Sequence, residues 1–402
     1  MSLVLSESNL PMNKLRLLAP IILAVLASCG TKDGAENTQV ESISFSYQID
    51  TVYIDAKDEF LFLNMGLYIS DYDPKTDLLY NLNPQTSRME VIDMKKGELL
   101  EIIQYDQDGP NSVKEMFTSG TKITDSGEKW FTDYRSIIHL NAAGEKVGQF
   151  RLSNASFSGD TLPDKMEIDG MGKINRSGKY FVSHYGDYLL DGEGLQGLAI
   201  LDLEQLSKRL IKLDVFQSLE KYELSSPDGE RAGARAGERS FITLTETEIL
   251  HSNSAHNRLL SLNLESGEYR EIKLASEFLP DEKPGLYPKK ANSLEQFDEF
   301  HTLKKQEVTF GPWSHDDERG YFWRISRERN GGSAADPIFS FFITVLDSGL
   351  NQIAETELDE GDALPFEGLP SLSFFRKGDL YMFLNLEDEL AFVRLKPNFK
   401  DE

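Results

Sequence analysis

Residues Leu259–Leu274 read LLSLNLESGEYREIKL, two runs of alternating apolar residues joined at Glu265-Ser266-Gly267-Glu268. Period-two alternation on either side of a Gly-containing turn is the signature of a β-hairpin. The pattern recurs as MEVIDMKKGELLEIIQ from Met89, IIHLNAAGEKVGQFRL from Ile137, LAILDLEQLSKRLIKL from Leu198 and FITVLDSGLNQIAETEL from Phe342. In every copy an Asp or Asn closes the first strand (Asp93, Asn141, Asp202, Asn263, Asp347), and in four of the five a Gly follows two to four residues later. The markers lie 48, 61, 61 and 84 residues apart.

Hairpins repeated at this spacing, with turn signals and almost no helical periodicity, predict an all-β fold built radially, a β-propeller. About 360 residues over six units gives roughly 60 per unit, longer than the ~40–45 of compact propeller repeats. Six blades with long loops is therefore expected; seven blades or paired β-sandwiches are the alternatives. Ser42–Ile54 alternates through Ile43, Phe45, Tyr47 and Ile49 without a hairpin partner, as expected of a strand that completes the last sheet and closes the ring.

Three segments interrupt the pattern. Residues 292–305 open on a capping-type Asn or Ser and place Leu294, Phe297, Phe300 and Leu303 on one face, predicting a short rim helix that can also serve as a partner-binding surface. Asp228–Ser240, DGERAGARAGERS, reads as a mobile surface loop whose arginines are offset by Glu230 and Glu238. Asp71, Asp73 and Asp77 suggest a calcium loop, but the Gly and distal Glu of an EF-hand are missing and Pro74 suits a turn.

The formal charge of −25 repels phosphate backbones and disfavours nucleic-acid binding. The single cysteine, Cys29, excludes an internal disulfide or a multi-Cys metal site. It follows a short basic stretch, Met12-Asn13-Lys14-Leu15-Arg16, and an apolar run, Leu17–Ala27, the parts of a secretory signal. That run is too short to cross roughly 30 Å of hydrocarbon. The predicted organisation is a signal peptide over 1–28, of which 1–11 is not read as native, a lipidated Cys and flexible tether over 29–41, and one domain over 42–402.

Leu26-Ala27-Ser28-Cys29 resembles the lipobox of bacterial lipoproteins, and the resemblance implies cleavage before Cys29 followed by its acylation. With Gly30 next to Cys29, and Lys32-Asp33 similar to the export tag of Bacteroidetes surface lipoproteins, an outer-membrane protein is expected, the leaflet left open. The lipobox, the repeats, VTFGPWSHDDERGYFWRIS from Val308 and DLYMFLNLEDELAFVRL from Asp379 together resemble an uncharacterised family of Bacteroidetes lipoproteins with a TolB-like six-bladed propeller. The family carries a domain-of-unknown-function label, so the resemblance implies fold and compartment and transfers no catalytic residues.

No Gly-x-Ser-x-Gly, His-Glu-x-x-His, phosphate loop or dinucleotide fingerprint occurs. No cofactor or metal is predicted: His251 and His256 in HSNSAH have a spacing too common in polar loops, and His139 inside IIHL reads as structural. The densest mixture of aromatic and ionisable groups contains Trp313, His315, Asp316, Asp317, Arg319, Tyr321, Trp323 and Arg324. It fits a ligand platform or, alternatively, a packing seam whose Arg pairs with Asp316 or Asp317. His184 and Asp187 in HYGDY, and Arg135 after Tyr134, are further candidates. Arg135, His184, Asp187, His315, Asp316 and Arg324 are thus the candidate ligand-binding residues. The functional expectation is a non-enzymatic, lipid-anchored envelope propeller that binds a protein partner or a small ligand at one face. The alternative is an envelope hydrolase or lyase acting in the central channel.

Overall fold

The structure, a computed structural model, describes residues 45–399 apart from 65, 114–117, 189–192, 227–232, 334–335 and 359–367. Cys29, the leader and the tether lie outside the described residues.

Six sheets are arranged as a six-bladed β-propeller. Blade 1 comprises Asp71–Asp73, Leu78–Asn83, Arg88–Asp93 and Glu98–Gln104; blade 2, Thr118–Ile123, Lys129–Asp133, Ser136–Leu140 and Lys146–Arg151. Blade 3 is built on Lys173–Ile174, Tyr180–Asp187, Gly194–Asp202 and Ser207–Lys212, with Glu167–Ile168 and Ser158–Gly159 added at its two edges. Blade 4 comprises Ser240–Leu244, Glu248–Asn253, Arg258–Asn263 and Tyr269–Lys273; blade 5, Thr309–Asp316, Tyr321–Gly332, Pro337–Leu346 and Gln352–Glu357. Blade 6 takes Ser373–Arg376, Asp379–Leu386 and Glu389–Phe399 from the end of the chain, and Phe45–Tyr53 from its beginning as the outermost strand.

Alternation in the second strand of each blade makes the ring, because successive side chains point to opposite faces of a sheet. Leu79 faces blade 6 and Tyr80 faces blade 2; Phe131 and Trp130 divide in the same way between blades 1 and 3. Phe181 and Val182, Ile249 and Leu250, Phe322 and Trp323, and Tyr381 and Met382 continue the pattern. Six apolar clusters result, one per seam, and the cluster joining Tyr381 and Phe392 of blade 6 to Leu79 and Ile92 of blade 1 closes the circle. Each fully buried Leu, Ile or Phe contributes roughly 1.5–3 kcal/mol of transfer free energy, so no seam depends on one residue.

The Asp and Asn markers act as turn caps. Asp93 Oδ1 accepts from the backbone N–H groups of Lys95 and Lys96, Asp202 Oδ1 from those of Glu204 and Gln205, and Asn263 Oδ1 from those of Glu265 and Ser266. Such side-chain turns hold the bend while leaving the strands free to pair. Gly97, Gly144 and Gly267 take the left-handed conformation the turns require; in the fifth copy Leu350 does so instead of Gly349, and in the copy without Gly, Leu206 does.

The closing strand runs antiparallel to Glu389–Phe399, as expected for a partnerless N-terminal strand. Asp50 on it lies 2.6 Å from Arg394 Nη2 and 2.8 Å from Lys396 Nζ. The hydrogen bond from Arg394 lowers the Asp50 carboxyl to about 2.

Two expectations about the insertions are corrected. The helix forms over Leu294–Lys305, with the Ser293 side chain accepting from Gln296 N–H, but its buried residues are Phe297 and Lys304, while Leu294 and Leu303 are exposed. Part of the supposed surface loop pairs as Arg235–Ala236 with Leu224–Ser225, and Glu238 is buried between Lys283 and Lys304. Glu230 lies outside the described residues.

Candidate functional site

The first strand of each blade lines the central lumen, a cavity of about 340 Å³ to which all six blades contribute. The hairpin between first and second strands is closed by the pairs Asp73/Leu78, Thr124/Glu128, Asn175/Tyr180, Thr245/Glu248, Asp316/Tyr321 and Arg376/Asp379. Two residues before each pair stand Asp71, Lys122, Lys173, Thr243, Ser314 and Phe374, and every one of them lines the lumen. One layer of the channel is therefore charged on the side of blades 1–3 and hydroxylic or aromatic on the side of blades 4–6.

Within that layer Lys122 Nζ lies 3.0 Å from Asp71 Oδ1, and Asp71 Oδ2 also accepts from Ile123 N–H at 2.8 Å. Thr243 Oγ1 donates to Trp313 O at 2.6 Å, and Ser314 Oγ lies 2.8 Å from Ser373 Oγ. Lys173 has no hydrogen-bond or ion-pair partner among the described residues. Its side chain is exposed to the lumen, which the six blades enclose laterally and which is open at its mouth. This enclosure is the main cause lowering its ammonium below the usual lysine value; Asp71 opposes the effect and Lys122 adds to it.

Just beyond the layer, Arg176 of blade 3 reaches across blade 4 to blade 5, placing Nη2 2.7 Å from Asp317 Oδ2. His315 Nδ1 lies 2.7 Å from the other oxygen of Asp317, and the imidazole stacks on Phe322. The His315 contact, joined by Arg176, holds the Asp317 carboxyl below its ordinary range against the opposing effect of burial. With Lys122, Lys173 and Arg176 against Asp71 and Asp317, the lumen carries a cationic excess in a protein of net charge −25.

The hairpin turns around this end of the lumen are tied to one another. Lys75 Nζ donates to Asp125 O, Asp125 N–H to Arg176 O, and the N–H groups of Arg176 and Ser177 to the Glu246 carboxylate. Arg319 donates to Gly378 O, and Arg376 pairs with Asp77, Nη2 to Oδ2 at 2.7 Å. Asp71, Asp73 and Asp77 thus serve separate purposes: a lumen ion pair, a turn cap through Lys75 N–H, and a link between blades 6 and 1.

The six residues singled out from the sequence do not converge. Only His315 lines the lumen. His184 is buried in the seam between blades 3 and 4, edge-on to Phe216 and His251, and burial lowers it to about 4. Asp187 is buried at the end of the same strand. Asp316 is buried in a turn, where it accepts from Glu318 N–H and Arg319. Arg324 is buried in the seam between blades 4 and 5, against Trp313 and Phe310, donating to Asn257 Oδ1; it pairs with neither Asp316 nor Asp317. Arg135 is exposed, over the ring of Tyr134.

The lumen residues that sequence reasoning missed did leave a trace. Asp71, Lys122 and Lys173 are each 51 residues apart, and Lys122-Ile123-Thr124 is echoed by Lys173-Ile174-Asn175 before a turn glycine, Gly127 and Gly178. A charged residue recurring at a fixed place in the repeat marks a position that all repeats direct to one axis.

A family model described as a domain of unknown function, DUF4221, matches residues 42–357. A solved DUF4221-family structure from Bacteroides vulgatus superposes with a TM-score of 0.60 at 14% identity, covering 90% of this chain and 99% of that one. A Bacteroides fragilis protein provisionally described as exported gives 0.46 at 11% identity, over 88% and 96% of the two chains. A gluconolactonase from Xanthomonas campestris gives 0.41 at 12%, over 89% and 93%. At these identities the likeness concerns the fold. No curated protein matches the chain.

Proposed function

Because the chain belongs to the DUF4221 family, which is defined without a function, we propose a role from the lumen itself: a non-enzymatic propeller that binds a small carboxylate or phosphate compound in its central channel. The observation that carries this reading is Lys173, an ammonium without a partner among the described residues, sharing the central channel with Lys122. A charge left in such a place is normally paired, and an anionic ligand supplies the pair. The lumen volume of about 340 Å³ suits a small molecule. Ser314 and Ser373 on the opposite arc, bonded to each other, keep one hydroxyl proton for its remaining polar atoms.

Calorimetric titration with inorganic phosphate and with small mono- and dicarboxylates tests the proposal. Saturable binding of one of these is expected, weakened in Lys173→Met by the ~1.5–3 kcal/mol of a charge-assisted hydrogen bond, or roughly 10–150-fold. Absence of binding to all of them, or binding indifferent to Lys173, would overturn it.

Part of the same reading is the anchor. Among the described residues no helix is long and apolar enough to cross a membrane, and Cys29 supplies a lipid attachment in an outer-membrane lipoprotein. Cys29→Ala is expected to move the protein from the membrane to the soluble fraction; unchanged fractionation contradicts the anchor without touching the lumen.

A hydrolytic role is favoured by one observation, the His315–Asp317 contact, since a histidine oriented by a carboxylate is the core of a general base. Turnover of a bound carboxylate ester or phosphoester, lost in His315→Gln, would establish it; binding without turnover leaves the channel a receptor site.

A further inference from the structure

Lys122 and Lys173 occupy equivalent places in adjacent blades, but their surroundings differ. The Lys122 ammonium is tied to Asp71. Lys173 lines the lumen with no acceptor among the described residues; desolvation there and the charge of Lys122 together outweigh the opposing pull of Asp71. An amine so placed, unpaired beside a second cation that already holds the nearby Asp71 carboxylate, is the arrangement that favours the neutral, nucleophilic form of lysine. Lys122 and Arg176 meanwhile remain as fixed positive charges in the same cavity, paired with Asp71 and Asp317 but each with further N–H donors for a carboxylate on the ligand.

We propose that Lys173 is a carbonyl-reactive amine that captures small acids bearing a ketone or aldehyde, such as 2-oxo acids, as an imine within the lumen. The inference rests on the anion-binding reading above and narrows its ligand class. Lys173 Nζ attacks the carbonyl carbon, forming a C–N bond as the C=O π pair moves to oxygen. Proton transfer from nitrogen to oxygen gives the carbinolamine. Expulsion of that oxygen as water, with loss of the second N–H proton, leaves the C=N bond. No oxidant, reductant or cofactor enters, and hydrolysis of the imine by lumen water releases the ligand unchanged.

The test is reductive trapping of the full-length protein with pyruvate and sodium cyanoborohydride, which delivers hydride to the imine carbon and makes the link permanent. A single adduct on the Lys173 peptide is expected by mass spectrometry. In Lys173→Met that adduct is lost and only the slow background of surface lysines remains. Lys173→Arg keeps the charge but cannot form an imine, so it is expected to bind lactate, the carbonyl-free analogue, while escaping the trap. Labelling spread over other lysines, or equal in the Met variant, overturns the proposal. Lactate or phosphate binding that depends on Lys173, with no trapped adduct, sinks the imine alone; absence of both sinks the anion site with it.

Discussion

Two lysine clusters in this protein share a composition and differ in everything else. In the lumen, Lys122 and Lys173 face one carboxylate, Asp71; beneath the helix Leu294–Lys305, Lys283 and Lys304 face one carboxylate, Glu238. Under the helix every charge is sealed: the side chains of Glu238, Lys283 and Lys304 are 2%, 4% and 6% exposed. All three donors of the Lys304 ammonium are used, on Glu238, Tyr222 O and Tyr287 Oη. Burial alone would raise Glu238, but the two ammonium groups overcome it and keep the carboxyl below its usual value. The lumen has the same surplus of positive charge and leaves it open to solvent, with Lys173 unclaimed among the described residues. A sealed, satisfied cluster holds an insertion to the ring, whereas the open one leaves an ammonium unpaired, the feature on which the proposed anion site rests.

The contrast predicts opposite responses to mutation. Glu238→Gln strands two buried ammonium groups, and breaking a buried pair in this way costs about 3–5 kcal/mol, read as a lower midpoint in chemical denaturation. Lys173→Met is expected to stay within about 0.5 kcal/mol of the parent, as for a substitution that breaks no buried contact. Equal losses from the two would erase the distinction between the clusters.

Sealed imidazoles sharpen it through pH. Burial lowers His184 and His256 to about 4, and His251 well below its ordinary value. A histidine with a depressed folded value is neutral in the folded state while the unfolded chain takes up a proton below about 6.5. Stability is therefore full above pH 6.5 and falls as the pH drops toward 4, by on the order of 2–3 kcal/mol for each such histidine. His184→Gln, which cannot be protonated, is expected to flatten that slope in acid denaturation, and Lys173→Met to leave it unchanged.

A smaller effect belongs to the ring closure. Asp50 is paired but 40% exposed, so solvent screening leaves its contacts with Arg394 and Lys396 worth at most about 1 kcal/mol. That contribution is present above the ordinary carboxylate range and disappears as the pH falls toward 2. Asp50→Asn should therefore shift the urea midpoint slightly at pH 7 and hardly at all at pH 2.

How much of this was legible in the sequence follows from the range of the contacts. The hairpins are local: alternation around Asp93, Asn141, Asp202, Asn263 and Asp347 announced them, and the unpartnered strand at Phe45 announced the closure. Glu238 was misread because its partners lie 45 and 66 residues away, so its charge looked like one of a solvated run. Leu294 and Leu303 were expected inside for the same reason, since burial of Lys304 turned the helix to present Lys304 to Glu238. The aromatic-rich segment around Trp313 and Arg324 drew attention by composition, and those two side chains meet in a seam because a large apolar surface is what seams consume. The lumen was quiet in comparison, since its first strands are as short as Lys173–Ile174 and only ring closure gives their side chains a common axis.

The most direct measurement is a crystal structure of the protein soaked with selenate, an oxyanion that its anomalous signal locates without ambiguity. The lumen reading predicts a selenate in the central channel with an oxygen ~2.7–3.2 Å from Lys173 Nζ, absent from crystals of Lys173→Met. A channel holding only water, or a selenate that stays in place in the Met variant, would contradict it.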